Sequence, residues 1–520
     1  MRKYIGFLIV VFSFSACENF LDVKPEGEFL GDILFETSEG CEDALYGVYA
    51  NLGSTSLYGK TLSYYLPDIL ASYYIAEGIS KTSYMYQWSH YNYTGEDSDR
   101  SLFDEVWTRM YENISYVNSV LFNLGGKENS FRYYNFYKGE ALALRAFMHF
   151  ELCCYFAPAY REETLEQPAI PYCETYEPLV YPFRTVKDIY QKVITDLHKA
   201  EELLKDEDKF LNPLSGHAVR ENTPGVDAFM TERQFHLNLY AVQGLLARVY
   251  WMKNDLDSAM IYADKVISSQ KFALTERVYL YNDYASRISV NEALWGVCGQ
   301  SGWEDQLDEK FNTPSDTPLD GGLLPVNGFG LMPPSRPEGV MLVNWGYSKI
   351  YEVPDYNGQQ DYRLNWFQYY DANGKYRHFY KVYDRTDTYR GQKGVNMIRL
   401  PEMYLIMAEG LLKKEQLTEA REYFDKYTET RGFVYREEDV EFNMDLINKE
   451  YRKEFMGEGR MWLNMKRQNL TLNSCFQYNL TIPGSDEVYV WPIPEDEFEY
   501  REGGKEGVYH PENIEDAQTN

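Results

Sequence analysis

Residues 232–269 read ERQFHLNLYAVQGLLARVYWMKNDLDSAMIYADKVISS. Apolar residues recur there at helical spacing, first over 232–253 and again over 256–269. Ala247 and Tyr250 on the first helix are followed by Ala259 on the second, twelve residues after Ala247. The same spacing returns further along, where Ala408 and Leu411 are followed by Ala420, with Phe424 next on that face. Small residues at these two places let antiparallel partners approach closely, which is the tetratricopeptide arrangement. Any tight helical hairpin also wants small residues at its crossing, so the spacing alone admits both.

Outward from this pair, helical periodicity covers 38–52, 103–124, 133–157, 185–205, 396–414, 417–430 and 441–468. Thr185 opens one of these helices with an N-cap signature, Asp188 three residues on and then Ile189, Val193, Ile194 and Leu197. Helices 38–52 with 103–124, and 133–157 with 185–205, make two further pairs split by insertions. Gly457 and Gly459 would each cost about 1 kcal/mol inside a helix. They predict a close backbone contact or a local break in 441–468. Residues 271–395 differ, being rich in Gly, Pro and aromatics, with turn signals at Asp355-Tyr356-Asn357-Gly358 and Asp371-Ala372-Asn373-Gly374. The expected fold is mainly α. About four tetratricopeptide-like helix pairs, in 38–270 and 396–468, pack against an irregular half with a few short strands. Residues 17–520 are expected to form a single domain with 271–395 as its loop-rich insertion.

The first residues set the compartment. Arg2 and Lys3 precede about ten mostly apolar residues, Tyr4 to Phe14. That run is short of the roughly 20 residues a membrane helix needs, and has the form of a secretory signal. It closes on Phe14-Ser15-Ala16-Cys17, like a bacterial lipoprotein box. The expectation is cleavage of residues 1–16, thioether diacylglycerol on the Cys17 sulfur, and an acyl chain such as palmitate on the new amino terminus. Several chains together anchor stably, at about 0.8 kcal/mol per buried methylene. Cleavage removes Arg2 and Lys3 and moves the formal charge from −29 to −31. So acidic a chain is a poor general binder of nucleic acid or anionic polymers. Beyond Cys17 stand Cys41, Cys153, Cys154, Cys173, Cys298 and Cys475, with no metal-ligand spacing. Export permits disulfides among them, although Cys153 and Cys154 read as buried free thiols within a helix.

No motif carries catalysis. There is no Gly-x-Ser-x-Gly, no His-Glu-x-x-His and no phosphate-binding glycine loop. With 80 acidic residues, a glycosidase-like carboxylate pair cannot be picked out by sequence. His149 lies on an apolar helix and reads as a core residue. The Asp371 segment faintly resembles a calcium loop, but Val382 stands where the bidentate acid should be. No catalytic, metal or cofactor residue is therefore assigned, and structural calcium on loop carbonyls is without support.

Recognition rests instead on the 48 Tyr, 28 Phe and 9 Trp. Aromatic faces stack on sugar rings while polar tips hydrogen-bond, with little rotamer freedom to lose. Most of these rings must fill the core. Loops on a rigid scaffold are the better candidates, and residues 73–93 hold Tyr73, Tyr74, Tyr84, Tyr86, Trp88, Tyr91 and Tyr93. Tyr84-x-Tyr86-x-Trp88 alternates with period two, so on a strand the three rings would share a face. A second group, Trp303, Trp345, Tyr347, Trp366 and Tyr369, lies in the insertion. The predicted ligand contacts are Tyr74, Tyr84, Tyr86, Trp88, Trp303, Trp345 and Trp366.

Five segments together resemble the SusD/RagB family of Bacteroidetes surface lipoproteins. They are Cys17-Glu18-Asn19-Phe20-Leu21-Asp22-Val23-Lys24-Pro25; Lys138 to Phe147 with its Gly139-Glu140-Ala141 and Leu144-Arg145-Ala146; Arg399 to Glu409; Glu450 through Glu454, Glu458, Gly459 and Trp462 to Arg467; and Trp491-Pro492-Ile493-Pro494. Asn464, Met461 and the altered C-terminal finish depart from the pattern. The residues themselves suggest that Arg145, Glu402, Glu454 and Glu458 form ion pairs tying the repeats to the C-terminal helix. The resemblance implies an outward-facing, outer-membrane lipoprotein that closes over a SusC-like TonB-dependent transporter. It would deliver an oligosaccharide without chemistry, holding it on loops of the two aromatic regions. A peptide-binding member of the same family is the nearer alternative and a surface glycoside hydrolase the distant one.

Overall fold

The computed structural model describes residues 33–75, 82, 84–211, 227–275, 291–299, 324–325, 361–369, 377–379, 381, 394–436, 440–473, 481–499, 501 and 508. The chain begins with α1 (Ser38–Leu52), capped by the Thr37 side chain, which accepts from the Gly40 N–H at 3.1 Å. A π-helical turn, Thr61–Tyr65, runs into α2 (Leu66–Leu70), β1 (Tyr74–Ile75) and α3 (Tyr84–Ser89). Then come α4 (Ser101–Asn123), α5 (Tyr134–Phe156), β2 (Pro168–Pro171), β3 (Phe183–Thr185), α6 (Val186–Leu204), α7 (Leu239–Met252) and α8 (Leu256–Ser268). The insertion contributes β4 (Ala293–Cys298), β5 (Leu324–Pro325), β6 (Phe367–Tyr369), β7 (Arg377–Phe379) and β8 (Gly394–Arg399). Helices α9 (Leu400–Lys413), α10 (Leu417–Thr430), α11 (Met444–Glu454) and α12 (Arg460–Gln468) follow, then short elements to residue 499. The strands pair only as two-stranded antiparallel ribbons, β1–β5, β2–β3, β4–β8, β6–β7 and β9–β10, the last being Leu472–Asn473 with Thr481–Ile482.

The mainly helical fold expected from periodicity is present. Helices α4 to α10 pack each on the next in chain order, while α1 leans on α4 and α5. Ala247, Ala259, Ala408 and Ala420 are all fully buried. Close approach goes further than the alanines. A Cβ on Gly410 of α9 would sit 2.5 Å from the Met260 sulfur of α8. The N-cap at Thr185 forms as read, its hydroxyl accepting from the Asp188 N–H at 3.1 Å. Asn238 and Asp255 cap α7 and α8 in the same way. Helix α5 is buried on every side from Gly139 to Phe156, as a helix without a polar face must be.

Three expectations are corrected or sharpened by the structure. The helix sought at 396–414 begins only at Leu400, because residues 394–399 form β8 and pair with β4, Trp295 opposite Ile398. The helix at 441–468 is two helices. Gly457 (φ +85°) and Gly459 (φ +67°) take left-handed conformations between them, and a Cβ on Gly459 would stand 2.2 Å from the Leu62 carbonyl oxygen. Both the break and the close contact are thus present. Third, Tyr84-x-Tyr86-x-Trp88 lies on helix α3 and not on a strand. The Asp355 and Asp371 turns lie outside the described residues, but β6 and β7, on either side of the latter, pair antiparallel with Gln368 opposite His378.

Two buried ionic clusters knit the layers. In the first half, Glu140 of α5 meets Arg233 (2.5 Å), His236 (3.0 Å) and the Tyr49 hydroxyl (2.7 Å), and Arg233 also meets Glu207 (2.5 Å). Burial alone would raise the Glu140 carboxyl; Arg233, His236 and the hydrogen bonds from His236 and Tyr49 outweigh it and hold it at about 2. In the second half, Glu454 accepts from Arg399 (2.7 Å), Arg431 (2.9 Å) and Tyr427 (2.8 Å). Around it Glu292 meets Arg399 and Arg431, Glu450 meets Arg363 and Lys453, and Glu458 meets Arg399 and Lys381. Charges this deep persist only when paired and hydrogen-bonded. Glu454 and Glu458 therefore do the tying expected of them, through Arg399 just ahead of α9, whereas Glu402 pairs with Arg248 of α7 at 2.7 Å, within the repeats. Arg145 does not reach the C-terminal helices; it pairs with Asp196 of α6 at 2.7 Å. His149 is a core residue, stacked on Tyr172 with centroids 3.9 Å apart, and burial lowers its pKa to about 3. Cys41, Cys153, Cys154, Cys173 and Cys298 are free, while Cys17 and Cys475 lie outside the described residues.

Candidate functional site

Helix α2 leads the chain to the first aromatic region. Its carbonyls hold the exit: the Tyr73 N–H donates to the Asp68 carbonyl and the Tyr91 hydroxyl to the Leu70 carbonyl, at 3.0 and 3.1 Å. The Tyr73 ring lies beneath the Arg452 guanidinium, 4.5 Å from its centroid, and its hydroxyl donates to the Arg452 carbonyl at 2.6 Å. Tyr91, with φ +59°, turns the chain back so that its ring stacks on Trp462 at 5.9 Å. The Tyr93 hydroxyl donates to the Val488 carbonyl at 2.7 Å. These tyrosines are framework, each with its hydroxyl partnered.

Because α3 is helical, its rings sort by a spacing of four and not of two. Tyr84 and Trp88 share one face, centroids 4.7 Å apart. Tyr86 and His90 share another, stacked at 3.9 Å with planes 26° apart. Trp88 is fully buried: its indole N–H donates to the Asp99 carbonyl at 3.1 Å and its ring packs on Tyr65 and Phe103. Its predicted direct contact with ligand is thereby corrected, since no face of the ring is open. Tyr84 is 36% exposed and Tyr86 is partly exposed. The hydroxyls of Tyr84 and Tyr65 lie 3.5 Å apart, and the Lys60 ammonium sits 5.3 Å from the centre of the Tyr65 ring.

The second aromatic region meets the first through the β1–β5 ribbon, Tyr74 opposite Pro325 and Ile75 opposite Leu324. Tyr74 therefore stands on the strand that joins the two regions. Trp366 is fully buried with the Lys381 ammonium 4.3 Å from its ring, so like Trp88 it anchors a loop and offers no open face. Trp303 and Trp345 lie outside the described residues.

The candidate rim is Tyr84, packed on buried Trp88 and beside Tyr65, with the Tyr86–His90 stack on another face of the same segment. His90 escaped sequence reading because period-two alternation pairs Tyr86 with Tyr84 and Trp88. Its only sequence signal is the four-residue offset from Tyr86. Such a rim can stack on apolar ring faces and hydrogen-bond through phenol hydroxyls. Two open clefts of about 300 Å³ exist elsewhere, one lined by residues such as Tyr133 and Asp206, the other by Leu179 and Arg501, and neither includes a ring of 73–93. Among the described residues no group of three or more His, Cys, Asp or Glu could hold a metal, and no helix is long and apolar enough to cross a membrane.

Comparison with known proteins agrees with this layout. Residues 19–216 match a SusD-like family described as starch-binding and associating with the outer membrane, and residues 338–503 match the SusD family proper. SusD-like protein P38 of Formosa agariphila is 22% identical over 95% of this chain and 97% of its own. A SusD-like carbohydrate binding protein from Bacteroides vulgatus superposes with a TM-score of 0.62 at 19% identity, covering 91% of this chain and 98% of that one. Surface glycan-binding protein A from Bacteroides fluxus gives 0.58 at 17% identity, covering 90% and 98%. The first match spans α1 to α6, and the second runs from within the insertion through α9 to α12, taking in Glu454 and the arginines Arg363, Arg399 and Arg431 around it. The chain belongs to the SusD/RagB family.

Proposed function

We propose that this protein is a lipid-anchored, outward-facing outer-membrane protein that binds an oligosaccharide and hands it to a SusC-like TonB-dependent transporter, without catalysis. The observation that supports it most is the joining of two aromatic-rich regions by β1–β5, the first of which also holds Tyr84, 36% exposed, and the partly exposed Tyr86. Family membership and solved relatives named as carbohydrate or glycan binders favour the same ligand class. Anchoring through Cys17 would keep the binder at the surface; the Cys17→Ala variant should leave the membrane fraction.

The test is binding of the soluble protein, starting at residue 18, to a panel of glycans and mixed peptides, beside Tyr84→Ala and Tyr86→Ala. Glycan binding weakened in both variants supports the reading. Peptide binding alone would move the protein to the peptide-binding class of the same family, and product release from the glycan panel would make it a hydrolase. Failure to co-purify with a transporter barrel from native membranes would remove the delivery step.

A further inference from the structure

The turn between α11 and α12 is gripped from two sides. From the insertion, the Lys381 ammonium donates to the carbonyls of Glu454 (2.5 Å) and Met456 (2.8 Å), and pairs with Glu458 at 2.6 Å. The same ammonium lies over Trp366, the ring that leads into β6. From the first aromatic region, the Asp68 carboxyl of α2 accepts the Gly457 N–H at 2.7 Å. The Leu62 carbonyl fills the space a side chain at Gly459 would need. All of these groups are buried. Neither Asp68 nor Lys381 belongs to the rim, and ordinary ion pairing does not explain a carboxyl placed on a turn of left-handed glycines.

We propose that Asp68 and Lys381 are positioning residues, which couple the two aromatic regions to each other through the turn 455–459. This rests on the rim being the ligand site, but the coupling itself is a property of the free protein. Lys381 fixes Trp366, which leads into β6, against the turn. Asp68 fixes α2 against the same turn, and α2 sets where Tyr73, β1 and the returning Tyr91 lie. A displacement of the turn therefore moves both regions together, and a loop ordered by ligand on one side favours order on the other. Burial pushes the Asp68 carboxyl up to about 8 against the pull of the Gly457 N–H and of Lys381. Asparagine keeps the size of the group and an oxygen that can accept the Gly457 N–H.

The experiment is hydrogen exchange on the ligand-free protein, with Lys381→Met, Asp68→Ala and Asp68→Asn. Coupling predicts that Lys381→Met speeds exchange roughly tenfold in 66–75 and 84–93 as well as in 361–369. Asp68→Ala should do the same in 361–369, Asp68→Asn should restore protection, and 239–268 should be unchanged in all. The double variant should exceed neither single variant by much. Changes confined to the mutated side would overturn the proposal, as would equal loosening of α7 and α8. If Lys381→Met fails to fold, the Asp68 pair decides alone. Glycan affinity measured in parallel separates the two readings: coupling without binding leaves the inference standing and removes the proposed function.

Discussion

Helix α5 and the segment 84–93 are both crowded with rings and use them in opposite ways. In α5, Tyr137, Phe147, Phe150, Tyr155 and Phe156 are buried on all sides by α4, α6 and their neighbours. In 84–93, a six-residue helix buries Trp88, and Tyr91 and Tyr93 are buried just beyond its end. Tyr84, on the Trp88 face, is 36% exposed, and Tyr86, on another face, is partly exposed. The lesson is that ring content does not mark a binding surface; the number of covered faces does. Scaffold rings should matter for stability and rim rings for recognition.

The comparison can be broken most forcefully at the scaffold. Glu454→Gln leaves Arg399, Arg431 and Arg363 short of a buried counter-charge, and should cost about 3–5 kcal/mol in urea unfolding. Trp88→Ala belongs with it, since an emptied core site costs about 3–5 kcal/mol; a Trp88→Ala protein as stable as the parent would mean the ring is not core. Acid titration sharpens the same point. Glu140 and Glu450 are held at about 2, below their ordinary value of 4.5, so the fold binds fewer protons than the unfolded chain between those limits. Their contribution is present above pH 4.5 and disappears as pH falls toward 2, on the order of 3 kcal/mol each. Asp68 runs the other way: raised from 3.8 to about 8, it stabilises most below pH 4 and that contribution is lost as pH rises through 8. Denaturant midpoints at pH 3, 5 and 8, with and without Glu140→Gln and Asp68→Asn, separate the two.

Smaller effects test the edges of each region. Gly459→Ala should cost about 1–3 kcal/mol, from its left-handed φ and the Leu62 carbonyl together. Thr185→Ala should cost about 1 kcal/mol through the lost cap of α6. Tyr84→Ala should change stability by less than about 0.5 kcal/mol while weakening glycan binding. A large loss of stability in that variant would place Tyr84 with the scaffold and remove the contrast.

Much of the scaffold was legible because helical periodicity and caps are local. The bounds of α1 and α10 match the periodic runs at 38–52 and 417–430, and Thr185 caps where its sequence says. The candidate site was legible only in part. Aromatic density between helices points to 73–93, but period-two alternation pairs the wrong rings on what is a helix, passes over His90 and turns Trp88 outward. A short apolar and aromatic run does not distinguish strand from helix by itself. The tertiary neighbours Asp99, Phe103 and Tyr65 decide where Trp88 points.

By itself the sequence determined the helix pairs, the small residues at their crossings, the break at Gly457 and Gly459, and the family motifs, because each is written in neighbours a few residues apart. Tertiary structure alone decided that Arg145 serves Asp196, that Glu454 gathers three arginines, and that β1 meets β5. Those partners lie tens to hundreds of residues away along the chain. Charge and ring patterns say that a partner is needed, whereas only the packed chain says which one stands within 3 Å.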